Sequence, residues 1–175
     1  MKKTLLICTP VGLILMSFFS LMNKVPKYEK ISNKIVAESS KEIAEKYNLT
    51  IIGDGGSMMD DVKMLALSFN CDQPRNIEEA RKLTVNCMNM FLENINKNES
   101  IRPYLHNYPF TEKNIEIMIF FRDKNEYRPA PPLIANITST NGVIYYYIDK
   151  NNRYSDFHSE SFSNAVQILQ NQNSK

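Results

Sequence analysis

Signatures of catalysis are what this sequence lacks. Its 175 residues contain no G-x-S-x-G elbow, no H-E-x-x-H pair and no phosphate-loop lysine followed by serine or threonine. Histidine is confined to His106 and His158. A catalytic zinc normally takes three protein ligands, so the pair would need Asp60 or Asp156 as a third. Neither metal nor cofactor is expected. Three cysteines are too few for a disulfide scaffold. The basic excess is small as well, with 21 lysines and arginines against 19 acidic residues, a formal charge of +2. That is not the electrostatic footprint of a nucleic-acid binder, and no nucleic acid is expected as a partner. What remains is ordinary globular composition, 43% hydrophobic and 23% charged, which excludes a chain disordered throughout.

The first feature present is an uncharged run over residues 4–22, preceded by Lys2 and Lys3. Its 19 positions would rise about 28 Å as a helix, close to a hydrocarbon thickness. The run is longer than the apolar core of a cleaved signal, and no pair of small residues ends it: Phe18, Phe19 and Leu21 surround Ser20. The reading is a signal anchor, with a cleaved signal peptide as the alternative. Lysines flank both ends, Lys24, Lys27 and Lys30 on the far side, so charge does not fix the topology. A domain outside the cytoplasm is expected, single-pass if anchored and secreted if cleaved. The division is then 1–23 anchor or signal, 24–27 juxtamembrane linker, 28–171 a single domain, and 172–175 a frayed tail.

Within that domain, apolar periodicity predicts helices over 28–47, 77–96 and 159–170. Asn76 and Glu79 stand at capping-box spacing before the second. Residues 49–52 and 58–70 read as two strands joined by a flexible glycine loop, Gly53-Asp-Gly-Gly-Ser. The second of these strands is apolar on both faces, which predicts cover on both. Residues 115–121, 133–138 and 143–148 read as three more strands, the last two joined at Asn141-Gly142. Residues 151–158 read as a loop. The expected class is α+β, an antiparallel sheet of about five strands with helices packed on it, in the order α-β-β-α-β-β-β-α.

Two groups of residues are candidates for chemistry. Gly53, Gly55 and Gly56 offer backbone N–H groups to a phosphate, with Asp54, Asp60 and Asp61 nearby. Met58 replaces the third glycine of a dinucleotide fingerprint, and a flexible hairpin turn needing positive φ is the simpler reading of the cluster. The second group is Arg102, Tyr104, His106, Tyr108 and Phe110, in irregular chain between Pro103 and Pro109. Alternate positions of an extended segment share a face, and arginine and aromatics are frequent at protein-binding hot spots. A loop that buries its aromatics in the core is the competing expectation. An oxidising compartment would permit one disulfide between Cys71 and Cys87, although burial as two small hydrophobes is the simpler reading.

Three stretches carry a resemblance: residues 53–61, 63–69, and Arg102-Pro-Tyr-Leu-His-Asn-Tyr-Pro-Phe-Thr111 leading into 114–121. Together they resemble a family of uncharacterised membrane-anchored or secreted proteins of chlamydia-like bacteria. The resemblance implies an envelope location and no particular chemistry. The expected function is therefore a non-enzymatic module of a bacterial envelope that binds another protein or associates with itself. A hydrolase or small-ligand site built from the glycine loop, Asp60 or Asp61, and His106 is the alternative.

Overall fold

Residues 25–173 are described by the computed structural model. The run over 4–22 lies outside them, and none of the described helices is long and apolar enough to cross a membrane. The chain begins with helix α1 (Lys27–Tyr47), which stops where Asn48 turns left-handed at φ 52° and returns its N–H to the Ala44 carbonyl. Strands β1 (Thr50–Met58) and β2 (Val62–Cys71) follow as a hairpin, then helix α2 (Ile77–Lys97). The expected capping box starts α2: the Asn76 side chain accepts from Glu79 N–H at 3.0 Å, and Glu79 accepts from Asn76 N–H at 3.2 Å. Strands β3 (Ile115–Phe121), β4 (Asn136–Thr140), β5 (Val143–Lys150) and β6 (Arg153–Ser161) complete one sheet before helix α3 (Phe162–Asn173).

The α+β class holds, with two corrections. The sheet has six strands in the order β1-β2-β3-β4-β5-β6, giving α-β-β-α-β-β-β-β-α. The added strand is β6, which occupies most of the expected loop at 151–158. Asn151 and Asn152 both take positive φ, 54° and 60°, as a two-residue hairpin turn between β5 and β6 requires. Asn141 and Gly142 do the same between β4 and β5, at 49° and 76°. Second, the sheet is mixed. β2 and β3 are parallel, with Leu65 opposite Ile115 and Phe69 opposite Ile119. Helix α2 runs back between them and returns the chain to the end where β2 began, so β3 can only run alongside.

α1 and α2 pack on one face of the sheet, and α3 packs on α2 and β6. The core lies between sheet and helices. Leu65, Leu67, Phe69 and Cys71 of β2, with Ile115, Ile117, Ile119 and Phe121 of β3, face Ile35 and Ile43 of α1 and Cys87, Met88, Phe91 and Ile95 of α2. Each leucine, isoleucine, phenylalanine and methionine among them contributes about 1.5–3 kcal/mol of burial. β2 is an interior strand as its apolar pattern implied, but helices cover only one of its faces. The other face carries Met64, Ala66, Ser68, Met118, Phe120, Tyr145 and Tyr147, all partly exposed. Cys71 and Cys87 are buried and free. Burial raises the Cys87 thiol far above its ordinary value, helped by neighbouring Cys71, so at neutral pH it is an inert hydrophobe.

One polar cluster sits inside this packing. Glu160 of β6 accepts from Arg81 Nε of α2 at 2.7 Å and from the Tyr146 hydroxyl of β5 at 2.7 Å. Its other oxygen accepts from Asn164 of α3 at 3.2 Å. The Arg81 and Glu160 side chains are 9% and 2% exposed. Burial, followed by the hydrogen bond to Glu160, raises the Tyr146 hydroxyl far above its ordinary value and keeps it a donor. Truncating Glu160 leaves the Arg81 charge buried without its partner. Glu160→Ala is expected to cost about 3–5 kcal/mol in urea unfolding. Glu38→Ala, at an ion pair 67–73% exposed, is expected to cost under about 0.5 kcal/mol.

Candidate functional site

The link from α2 to β3 passes one end of the sheet, and the candidates of the 102–110 segment meet Asp60 and Asp61 of the β1–β2 turn there. The β1–β2 turn at 59–61 reaches the same pole as the first turn of α1, where the Tyr28 hydroxyl donates to the Met59 carbonyl at 2.6 Å. The 98–111 segment wraps this pole. Asn98 Oδ1 accepts from the N–H groups of Ser100 and Ile101, at 3.0 and 3.3 Å, and starts a short 3₁₀ turn at Arg102–Tyr104. His106 N–H then donates to the Val62 carbonyl at 2.9 Å, pinning the segment to the start of β2. Asn96 clamps its far end with two bonds to the Phe110 backbone, 2.8 and 2.9 Å.

The five aromatic and basic positions of this segment do not share one face. Phe110 belongs to the core at 2% exposure. Tyr104 packs partly against the core and lies 6.2 Å from the Tyr28 ring. Tyr108 is 52% exposed, with the Arg102 guanidinium stacked 5.1 Å from its ring centre. His106 projects to solvent and meets the Asp61 carboxylate, Nδ1 to Oδ2, at 2.6 Å. The 3₁₀ turn at 102–104 and the bends at 106–109 break the two-residue period, and so separate side chains that strict alternation would align.

Asp61 and His106 are thus brought together from 45 residues apart in sequence. Asp61 Oδ1 is buried and takes no hydrogen bond among the described residues. The pair is the orienting half of a general-base arrangement, but none of the described contacts brings a hydroxyl or thiol nucleophile to the imidazole. His158 lies on β6, at the opposite edge of the sheet from the β1–β2 hairpin, so the two histidines do not converge. Among the described residues no three histidine, cysteine or acidic side chains stand close enough to hold a metal ion.

The glycine cluster is not a loop. Gly53, Gly55 and Gly56 lie within β1, paired to Ser68, Ala66 and Leu65 of β2. None of the three has a positive φ. A Cβ on Gly53 would meet nothing within 4 Å, and one on Gly55 only the Ala66 Cβ at 3.9 Å. Neither the backbone nor the packing of the domain demands glycine at 53 or 55, although each costs about 0.5–1 kcal/mol in a strand relative to alanine. Only Gly56 is tightly fitted, 3.0 Å from the Met64 carbonyl. β1 is an edge strand, and Ile51 and Ile52 stand beside the cluster at 43% and 46% exposure. The positional alternation of the sequence hid this site, because glycine is the usual residue of turns.

At the other edge, a shallow hollow of about 420 Å³ is lined by Tyr145, Tyr147, Asp156, Phe157, His158 and Ser159. Burial on the sheet face, then the Asp156 carboxylate beside it, raises the Tyr147 hydroxyl. Neither a family model, nor a curated protein, nor a solved structure matches the chain. The wrapped segment carries its own test. Phe110→Ala is expected to cost about 3–5 kcal/mol in chemical denaturation, and Tyr108→Ala under about 0.5 kcal/mol. Equal losses would show that Tyr108 is a structural side chain despite its exposure.

Proposed function

We propose that the chain is a non-enzymatic, membrane-anchored module of a bacterial envelope, whose domain outside the cytoplasm binds an extended segment of another protein along the β1 edge. The carrying observation is glycine at 53 and 55 of an edge strand, where neither φ nor packing calls for it. Glycine in a strand marks a place where another backbone approaches closely. Edge strands that must stay unpaired are guarded by lysine, proline or bulges. β1 contains neither lysine nor proline, and its two register shifts leave 53–57 regular between them. The β6 edge is guarded, with a mid-strand register shift and the polar side chains of Arg153, Asp156 and His158. Strand addition draws its affinity from main-chain hydrogen bonds, which suits a stretch almost without side chains.

The anchor reading selects the kind of partner. β1 ends at the pole where α1 begins. Two copies pairing their β1 strands antiparallel would place those poles at opposite ends of the pair. Copies anchored in one membrane cannot do so, which favours a different protein over a second copy. The hydrolase or small-ligand reading has the 2.6 Å Asp61–His106 contact in its favour. It lacks a nucleophile, and its glycines are strand residues.

The test is a photo-crosslinking side chain at Asp54 of the full chain in its native membranes, with a control at Phe157 on β6. The expected result is one discrete heterologous adduct from position 54 and none from 157. Gly53→Lys should reduce that adduct at least tenfold, about 1.4 kcal/mol of binding, without lowering the unfolding temperature. An adduct of twice the chain mass, or adducts at 157 alone, would overturn the proposal.

A further inference from the structure

Beyond the partner edge, and resting on the anchor reading, we infer that the pole formed by Met59, Tyr28, Tyr104 and Tyr108 is seated in the lipid headgroup layer. The first ground is reach. The uncharged run ends at Met22, three residues before Val25. Three extended residues span at most about 11 Å. Val25 therefore stands no further than that from the hydrocarbon boundary, and Tyr28 only one helical turn beyond it.

The second ground is where apolar side chains are left uncovered. Of the seven large hydrophobics exposed among the described residues, Ile51, Ile52 and Tyr127 lie at the distal end and Phe157 on β6, while Val25 at 45%, Met59 at 79% and Tyr108 at 52% gather at this pole. Tyr28 and Tyr104 stand behind them, their rings 6.2 Å apart, with the Tyr28 hydroxyl bonded to the Met59 carbonyl. Tyrosine is the residue of membrane interfaces, with an apolar ring and a polar tip that suit the headgroup level. Arg102 stacks on Tyr108 and places a guanidinium at the same level. In sequence, acidic Glu29, Asp60, Asp61 and Glu99 are set against basic Lys24, Lys27, Lys30, Lys63 and Arg102, a balance of +1. Net charge therefore supplies little pull, and the seat is made by aromatic and apolar contact with zwitterionic lipid.

Seating fixes the domain's attitude. The ten residues of β2 start at this pole, and the strand leads about 30 Å away from it. Ile51 and Ile52, at the start of β1, are held at the distal end, away from lipid. The protein-binding edge is thus presented at a set height and orientation rather than swinging on a linker.

The chain contains no tryptophan, so single introduced tryptophans report without background. Full-length Tyr108→Trp, Met59→Trp and Tyr127→Trp variants are each reconstituted into phosphatidylcholine vesicles brominated high on the acyl chain. Tyr127 is 70% exposed and lies in the loop after β3, at the distal end. The expected result is at least about twofold quenching at positions 108 and 59, as for side chains about 5–10 Å into the interface, and none at 127. If the chain floats with vesicles while 108 and 59 stay unquenched, the seat is overturned and the anchor stands. Equal quenching at all three positions also overturns it. A chain that remains soluble overturns both readings.

Discussion

Glu160 is the residue on which separate parts of this fold converge. Its carboxylate receives Arg81 from the crossover helix, Tyr146 from the adjacent strand and Asn164 from the last helix. Without a crossover helix held down on the sheet, the parallel β2–β3 pair would have no return path and the six strands no common order. A buried ion pair contributes little net stability compared with well-packed apolar residues, but it is costly to break. Its consequence here is alignment: α2, β5, β6 and α3 are registered to one another by a single acceptor with two oxygens. The apolar core then fills the space this frame defines.

The frame puts all three helices on the same side of the sheet, and this one-sidedness leaves the features that matter for function. The uncovered face is made of methionine, small, hydroxylated and aromatic side chains, with Glu116 and Asp149 among them. The two edges differ. β6 is bulged in mid-strand and carries side chains throughout, including Arg153, Asp156, Phe157 and His158, whereas β1 presents a regular, nearly side-chain-free stretch at 53–57 between its two register shifts. The first turn of α1, the β1–β2 turn and the wrapped 98–111 segment meet at one pole, next to the uncharged run in sequence. The proposed lipid-facing end and the proposed partner-binding edge both follow from where the chain places its turns.

Much of this was legible in the sequence where a local signal had one meaning. The capping box at Asn76 and Glu79, the Asn141-Gly142 turn and the helical periodicity of α2 depend on contacts within a few residues. The Arg102–Phe110 stretch was marked out, yet its members divide between core and surface because a 3₁₀ turn interrupts the alternation. The Asn151-Asn152 turn is missed because asparagine pairs form left-handed turns less predictably than Asn-Gly, and because Tyr154 and Phe157 are the only apolar side chains of β6 and do not alternate. The parallel pairing of β2 and β3 was invisible locally, since it depends on which way a helix carries the chain. The glycine cluster misled for a physical reason. Glycine signals positive φ in most settings, and here it is extended strand whose missing side chains are the feature.

The account stands or falls on β1 being occupied when the protein is in place. Amide hydrogen exchange of the full chain, compared between its native membrane and detergent, measures this directly. The account predicts that 53–57 exchanges slowly in the native membrane and quickly once extracted, while β6 is unchanged. Exchange across 53–57 that is equally fast in both settings would contradict it.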